Sequence, residues 1–171
     1  NNTFLGIDAG NFTMSGSNQM DASNNTGIGF GVLQFNQDGY MNTAVGSLAL
    51  QRNTNGTMNS AVGTFSLNFN STGYKNTAIG FGSLINNSIG YINTAIGSNA
   101  LGFNTTASEN VAVGSHSLEQ LSFTSAPLIS WQSRNTAVGA YSLMNLNATT
   151  INDGKNNTAL GYDAGIGVYG Q

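Results

Sequence analysis

A nine-residue pattern returns along the whole chain and is clearest in the stretch Asn-Thr-Ala-Val-Gly-Ser-Leu-Ala-Leu at residues 42–50. Copies of this module begin at residues 2, 25, 42, 59, 76, 93, 110, 135 and 157, so the spacing is 17 residues in the centre and longer towards both ends. A fixed period of this size is typical of a solenoid, in which each repeat is stable only when stacked on its neighbours. We therefore interpret residues 1–171 as a single repeat domain.

Several positions of the module are almost constant among its copies. Position one is always Asn, position two is mostly Thr, position four is always aliphatic and position five is always Gly. The alternation of Thr, Ala and Val or Ile predicts a short strand that ends at the Gly, because β-branched residues at a period of two favour strands. The rest of each period has room for a second strand and two turns. The prediction is an all-β fold, a parallel β-roll or β-solenoid with two short strands per coil and about nine coils.

Stacked coils place equivalent residues directly above one another, which predicts two ladders. The first is an amide ladder in which Asn side chains satisfy each other's hydrogen bonds. The second is an aliphatic ladder that forms the core, so replacing Ile79 with Asp is expected to unfold or dissociate the rod. The scaffold residues are Asn42, Asn59, Asn76, Asn93 and Asn110 for the first ladder and Val45, Val62, Ile79, Ile96 and Val113 for the second.

Glycines also recur three residues before several modules. They are Gly39, Gly56, Gly73 and Gly90. Gly is the residue that most readily adopts a positive φ, and we expect these four to supply it in a tight turn ahead of each strand.

Charge is scarce, with 4 basic and 7 acidic residues and a net charge of -3. Within the modules only Asp8 and Asp163 are charged, in the first and last copies. Binding to nucleic acid needs clustered Lys and Arg, and a membrane-spanning segment needs about 18 apolar residues in a row. The sequence has neither feature, so we expect no nucleic acid partner and no insertion of this segment into a membrane. The uncharged inner modules predict that both strand faces are covered, one by the interior of the coil and the other by a partner subunit.

No catalytic, cofactor-binding or metal-binding residues are expected, and the chain is not predicted to be an enzyme. It has no Cys, and its one His, His116, lies between Ser115 and Ser117. Neighbours on a strand point to opposite faces, so these residues cannot form a nucleophile–base pair. Asp8 and Asp163 lie at opposite ends of the repeat array and cannot share a cation. A polysaccharide-cleaving enzyme would need paired acidic groups, and no module position supplies them.

The connector at residues 119–134 is an inserted loop that holds the only Pro and the only Trp. Insertions in repeat arrays often carry the binding surface, so Leu128, Ile129, Trp131 and Arg134 are candidate binding residues. The alternative is that its apolar residues only cover the coil or a neighbouring subunit. Asn-x-Ser/Thr sequences make Asn11, Asn55, Asn70, Asn86, Asn104 and Asn147 candidate N-glycosylation sites.

The Asn-Thr-Ala-(Val/Ile)-Gly-Ser module resembles the head repeats of YadA-like trimeric autotransporter adhesins, and similar arrays occur in phage and large-virus fibre proteins. The resemblance covers all nine copies. It implies a left-handed parallel β-roll that assembles as a parallel homotrimer. The adhesin heads have a shorter repeat of about 14 residues, and no binding residue of that family transfers to this sequence.

These patterns lead to one functional prediction and one alternative. The first is a structural and adhesive segment of a longer fibre on a cell or virion surface, outside the cell, which presents loops to a host protein or glycan. The alternative is a monomeric solenoid that binds a periodic surface such as ice or polysaccharide through its Thr ladder at Thr43, Thr77, Thr94, Thr136 and Thr158.

Overall fold

The fold is described by a computed structural model that covers residues 1–10, 22–122, 129–146, 148, 150 and 152–165. Within these ranges the chain is all-β, with eleven short strands and no helix. The strands are β1 (Thr3–Leu5), β2 (Thr26–Ile28), β3 (Thr43–Val45), β4 (Ser60–Val62), β5 (Thr77–Ile79), β6 (Thr94–Ile96), β7 (Ala107–Ser108), β8 (Val111–Val113), β9 (Trp131–Gln132), β10 (Thr136–Val138) and β11 (Thr158–Leu160).

Nine of these strands form one parallel sheet in the order β1-β2-β3-β4-β5-β6-β8-β10-β11. Each is positions two to four of one module, and neighbouring copies pair without any shift, so Ala44 lies opposite Ala61 and Ala61 opposite Ala78. Successive parallel strands joined by one long connection each indicate a β-solenoid, in which every module starts a new coil. The prediction of an all-β parallel repeat fold is confirmed.

The prediction of two strands per coil is wrong for most of the rod. The second part of each period is a series of turns whose backbone bonds also run to the neighbouring coil, such as Arg52 N to Asn68 O at 2.9 Å and Phe69 N to Ile85 O at 3.0 Å. Among the described residues a second strand pairing occurs only between β7 and β9. The chain bends after the module Gly and cannot continue as a strand, because the residues at positions seven and nine take a left-handed backbone conformation, as at Leu48 and Leu50.

The Gly at position five ends each strand for two reasons. Its φ lies between 123° and 140° in all nine copies, a region that side chains disfavour. The neighbouring coil is also too close for a side chain: a Cβ on Gly80 would lie 2.6 Å from the carbonyl oxygen of Gly97. Position five therefore needs Gly both for its backbone conformation and for the spacing of the coils.

The hydrophobic core consists of positions three and nine rather than position four. The Ala residues of β3 to β6, β8 and β10 are fully buried, as are the Leu residues that end the inner modules from Leu33 to Leu118. The predicted core ladder of Val45, Val62, Ile79, Ile96 and Val113 instead lies on the outer face of the sheet, where Val62 and Ile79 are each 41% exposed and Ile96 is 37% exposed. The strand alternates as expected, but its small residue points into the core and its larger aliphatic residue points outward.

The module Asn residues form a continuous buried ladder along the rod. The Oδ1 atom of Asn42 accepts a bond from the backbone N of Asn59 at 3.0 Å, and the Nδ2 atom of Asn42 donates to Gly56 O at 2.9 Å. The same bonds recur at Asn59 and Asn76. Each side chain thus pairs the backbone N of the next module Asn, which is buried inside the coil, and is one of two amide donors to the carbonyl of a connector Gly.

A second Asn ladder runs through the turns and was not predicted. It consists of Asn36, Asn53, Asn70, Asn87 and Asn104, all fully buried. Each amide nitrogen donates to the side-chain oxygen of the preceding rung, at 2.7 Å from Asn70 to Asn53 and 2.9 Å from Asn87 to Asn70. Its sequence signal was an Asn repeated at 17-residue intervals in the connectors, eleven residues after the module Asn.

The two ladders explain the connector glycines, and the predicted reason for these glycines is wrong. Gly39, Gly56, Gly73 and Gly90 do not have a positive φ. A Cβ on Gly56 would instead lie 2.3 Å from the side chains of Asn53 and Asn70, so these glycines are needed for close packing around the amides. The positive φ falls two residues later, at Met41, Met58, Lys75 and Ile92.

Candidate functional site

The outer face of the nine-stranded sheet carries two parallel columns of side chains, one at position two and one at position four. The first column is Thr or Ser except at Val111, and the second is aliphatic in every strand. None of the residues in these nine strands is charged. We call this surface the outer strand face.

Further apolar side chains lie next to this face in sequence. Met41, Met58 and Ile92 immediately precede a module, and Phe30 and Phe81 occupy position six after the glycine. All five are between 40% and 55% exposed. Charge at the position before the module is confined to Lys75, Glu109 and Arg134 in the described coils, and the last two form an ion pair with 2.8 Å between Arg134 Nε and Glu109 Oε2.

A groove of about 900 Å³ lies on a different part of the coil, in the turns between Phe69 and Ser122. Its walls carry two half-exposed rings, two side-chain amides and a line of hydroxyl groups: Phe69, Phe103, Asn86, Gln120, Ser88 and Thr105. None of the described lining residues is charged. We call this the aromatic groove.

The polar groups of the groove differ in how far the protein itself satisfies them. Asn86 Nδ2 donates to Gly102 O at 2.8 Å, which fixes the orientation of that amide. The hydroxyl of Thr105 is buried and has no hydrogen-bond partner among the described residues. At the equivalent position in an earlier coil, Thr54 Oγ1 donates to Ser71 O at 2.9 Å. Thr105 therefore has a hydrogen-bonding capacity that the fold does not use.

In the predicted binding loop at residues 119–134, the described residues 119–122 and 129–134 are largely part of the coil. Trp131 is only 5% exposed, and β9 pairs in parallel with β7, so Trp131 covers the core as the alternative interpretation had it. Arg134 takes a left-handed conformation and is held by Glu109 and by the 2.6 Å bond from its Nη2 to Gln132 Oε1. Ile129 is 56% exposed, and Leu128 lies outside the described residues.

Two of the candidate N-glycosylation sites are buried, which contradicts their assignment as sites that carry a glycan. Asn70 and Asn104 are fully buried rungs of the second ladder, and their amide nitrogens donate hydrogen bonds, so a glycan on either nitrogen is incompatible with this fold. Asn55 is exposed and Asn86 is half-buried. Asn11 and Asn147 lie outside the described residues.

The remaining side chains that could take part in catalysis or metal binding lie in or next to coil turns. His116 Nδ1 lies 2.9 Å from Glu119 Oε2, and the imidazole stacks on Tyr141 with 5.2 Å between ring centroids. Asp8 and Asp163 occupy the same left-handed position of their modules, at φ of 55° and 53°. Within the described ranges no three His, Cys, Asp or Glu side chains come together as a metal site. The same ranges contain no helix long and apolar enough to span a membrane.

The fold and these surfaces define a class of protein, a parallel β-solenoid with an uncharged outer strand face and an aromatic groove. Comparison with known proteins adds no family: no family model, curated protein or solved structure matches this chain. The resemblance to adhesin head repeats therefore stays an interpretation of the module sequence.

Proposed function

We propose that this chain is a structural segment of a surface fibre outside the cell, on a cell or a virion, and that it assembles as a parallel homotrimer through the outer strand face. The observation that carries the proposal is that the two neighbouring columns of side chains on that face contain no charged residue in any of the nine strands. A soluble sheet with one wet face normally places charged side chains there. Nine strands without a single charge favour a face that is covered in the working assembly.

The dimensions of the face suit an association site. Three strand residues span about 10 Å and nine coils span about 40 Å, which gives roughly 400 Å² per chain. Exposed apolar patches of several hundred Å² mark interaction sites, whereas a stable interface covers about 800 Å² per partner. The flanking side chains Met41, Met58, Ile92, Phe30 and Phe81 would supply much of the difference.

A parallel arrangement agrees with the geometry of the repeat. Three copies around a common axis would bring identical columns together at every level of the rod, and closed rotational symmetry leaves no unsatisfied face. The resemblance of the module to adhesin head repeats supports the same assembly and the attachment role. The connectors would then point outward and form the adhesive surface.

A second function is favoured by one specific feature, the Thr column that lies beside the aliphatic column. Hydroxyl and methyl groups repeated at the coil spacing of about 4.8 Å could match a periodic surface such as ice or an ordered polysaccharide. This function would require the outer strand face to be free, and therefore a monomer.

The solution mass of the chain, measured by light scattering on a sizing column, separates the two functions. We expect a mass near three times 17.7 kDa. A monomeric mass would contradict the trimer and leave the periodic-surface function, which thermal-hysteresis measurements would then test.

Two substitutions in one strand locate the interface. Ile79→Asp changes a side chain of the outer strand face and is expected to leave the monomer folded but abolish the trimer, because a charge would be buried between subunits. Ala78→Asp changes the adjacent residue, which is fully buried, and is expected to unfold the coil. Circular dichroism and light scattering report the two effects separately. A folded trimer of the Ile79→Asp variant would contradict the proposed interface.

A further inference from the structure

The aromatic groove has a chemistry that the self-association of the outer strand face does not use. It is lined by rings, amides and hydroxyls without charge, and it extends over several coils. We infer that this groove binds a neutral, extended oligosaccharide whose chain runs along the axis of the rod. The inference deepens the attachment role proposed above and rests on it, because it names the ligand class and the surface that takes it.

The spacing of the two rings supports an elongated ligand. Phe69 and Phe103 occupy the same position in alternate coils, and backbone bonds from Phe69 N to Ile85 O and from Phe103 N to Glu119 O fix both residues in the coil. Two coil spacings separate them by about 10 Å. Rings in direct contact lie about 4.5–7 Å apart between centroids, so neither ring covers the other. That separation is comparable to a disaccharide unit of an extended chain, whose C–H faces stack on aromatic rings.

The polar groups between the rings match sugar hydroxyls. A sugar hydroxyl both donates and accepts, and the Asn86 and Gln120 amides and the Ser88 hydroxyl do the same. Thr105 adds a buried hydroxyl without a partner among the described residues.

Two other ligand classes fit the groove less well. A charged polymer would find no ionic partner among the described lining residues, and the guanidinium of Arg52, stacked on Phe69 at 4.9 Å from the ring centroid, is a single cation at one end of the groove. A peptide that binds in extended form pairs with free backbone groups. In the groove those groups are bonded between coils, as Ser88 N is to Thr105 O at 2.9 Å.

The groove would stay accessible in the proposed trimer. Asn42 and Asn53 belong to the strand side and the turn side of one coil, and both donate to Gly56 O. The two segments therefore face each other across the interior, and their outward side chains point away from each other. Phe69 and Phe103 lie on the turn side, next to rungs of the second ladder, and are half-exposed.

The test is calorimetric titration of the whole chain with cellohexaose, mannohexaose and chitohexaose, and with a galacturonic acid hexamer as the charged comparison. We expect at least one neutral hexamer to bind and the charged hexamer to bind at least tenfold more weakly. Phe69→Ala and Phe103→Ala should each weaken binding about tenfold, since each removes one stacking ring. Phe35→Ala, a similarly exposed ring that lines neither the groove nor the outer strand face, should leave the affinity unchanged.

Ser88→Ala distinguishes a ligand-binding hydroxyl from a structural one. It removes a half-buried hydroxyl of the groove lining, so the urea midpoint should change little while sugar affinity falls several-fold. Binding of no neutral hexamer, tighter binding of the charged one, or an equal loss in Phe35→Ala would each overturn the groove assignment. Light scattering on the same samples reports the trimer independently, so a trimeric chain that binds no sugar contradicts only this inference, and a monomer that binds sugar contradicts only the trimer.

Discussion

At the residue scale, the coil depends on backbone conformations that most side chains avoid. Among the described residues, 23 besides the glycines have a positive φ, including Leu at position nine and the residue just before most modules. A left-handed conformation costs an ordinary residue about 1–2 kcal/mol. At position nine the burial of a Leu side chain, about 1.5–3 kcal/mol, offsets that cost. The exposed residue before the module gains no such compensation.

Lys75 tests this balance because it is exposed and has a φ of 54°. Lys75→Gly should stabilise the chain by about 0.5–1 kcal/mol, because relief of the left-handed strain exceeds the extra chain entropy of Gly. Urea unfolding measures the change. Lys155→Gly is the comparison at a residue without positive φ, and it should be less stable, because Gly adds chain entropy and the contact of Lys155 Nζ with the Trp131 ring at 5.8 Å is lost. Equal effects of the two substitutions would contradict the strain argument.

At the element scale, the sheet depends on the close approach of successive strand ends. The glycines at position five stack against one another along the rod, so each carbonyl occupies the space that a Cβ of the previous coil would need. The sequence shows that position five is always Gly, and its strand-ending role was predicted from that. The close approach of the neighbouring coil could not be predicted, because it depends on the distance between coils.

Gly80→Ala tests this close approach. The new methyl group would lie 2.6 Å from the carbonyl oxygen of Gly97, and the alanine would have to adopt a φ of 130°. We therefore expect the free energy of unfolding to fall by about 3 kcal/mol or more. Gly102→Ala is the control: Gly102 has no positive φ, and its nearest contact would be 3.1 Å, to Asn99 O. This second variant should lose less than about 1 kcal/mol. Similar losses in the two variants would mean that the Gly97 contact can relax.

At the scale of the whole molecule, the two Asn ladders connect the coils into one continuous structure. Every inner rung bonds the coil before it and the coil after it, and equivalent bonds recur 17 residues apart in the regular coils. The stability of such a rod is close to a sum over neighbouring coils, so the position of a defect decides its effect. A central break separates two halves, whereas a terminal break affects one coil.

Asn76→Ala and Asn157→Ala compare these two positions. Asn76→Ala leaves Asn93 N without its partner inside the rod and removes one of the two amide donors to Gly90 O, which keeps its bond from Asn87 Nδ2. At about 1–3 kcal/mol for an unsatisfied buried group, the loss should be about 2–3 kcal/mol. Asn157 is the last described rung and is partly exposed, and its substitution should cost about 1 kcal/mol or less. Urea midpoints and hydrogen exchange measure both effects, and an equal loss in the two variants would contradict the stacked-coil description.

The sequence by itself determined that the chain is a stack of equivalent coils, that Gly ends each strand and that Asn repeats at one level of every coil. Constant spacing and constant residue type carry that information, because stacked repeats place identical residues in identical surroundings. Only the tertiary structure decided which side of the strand faces inward. A period of two marks two faces and does not say which is buried; in the structure Ala44 is fully buried, whereas Val45 lies on the outer face. The tertiary structure also decided three other features, because each depends on how the turns of neighbouring coils stack. They are the burial of Asn70 and Asn104, the packing of Trp131 on the coil and the formation of the aromatic groove.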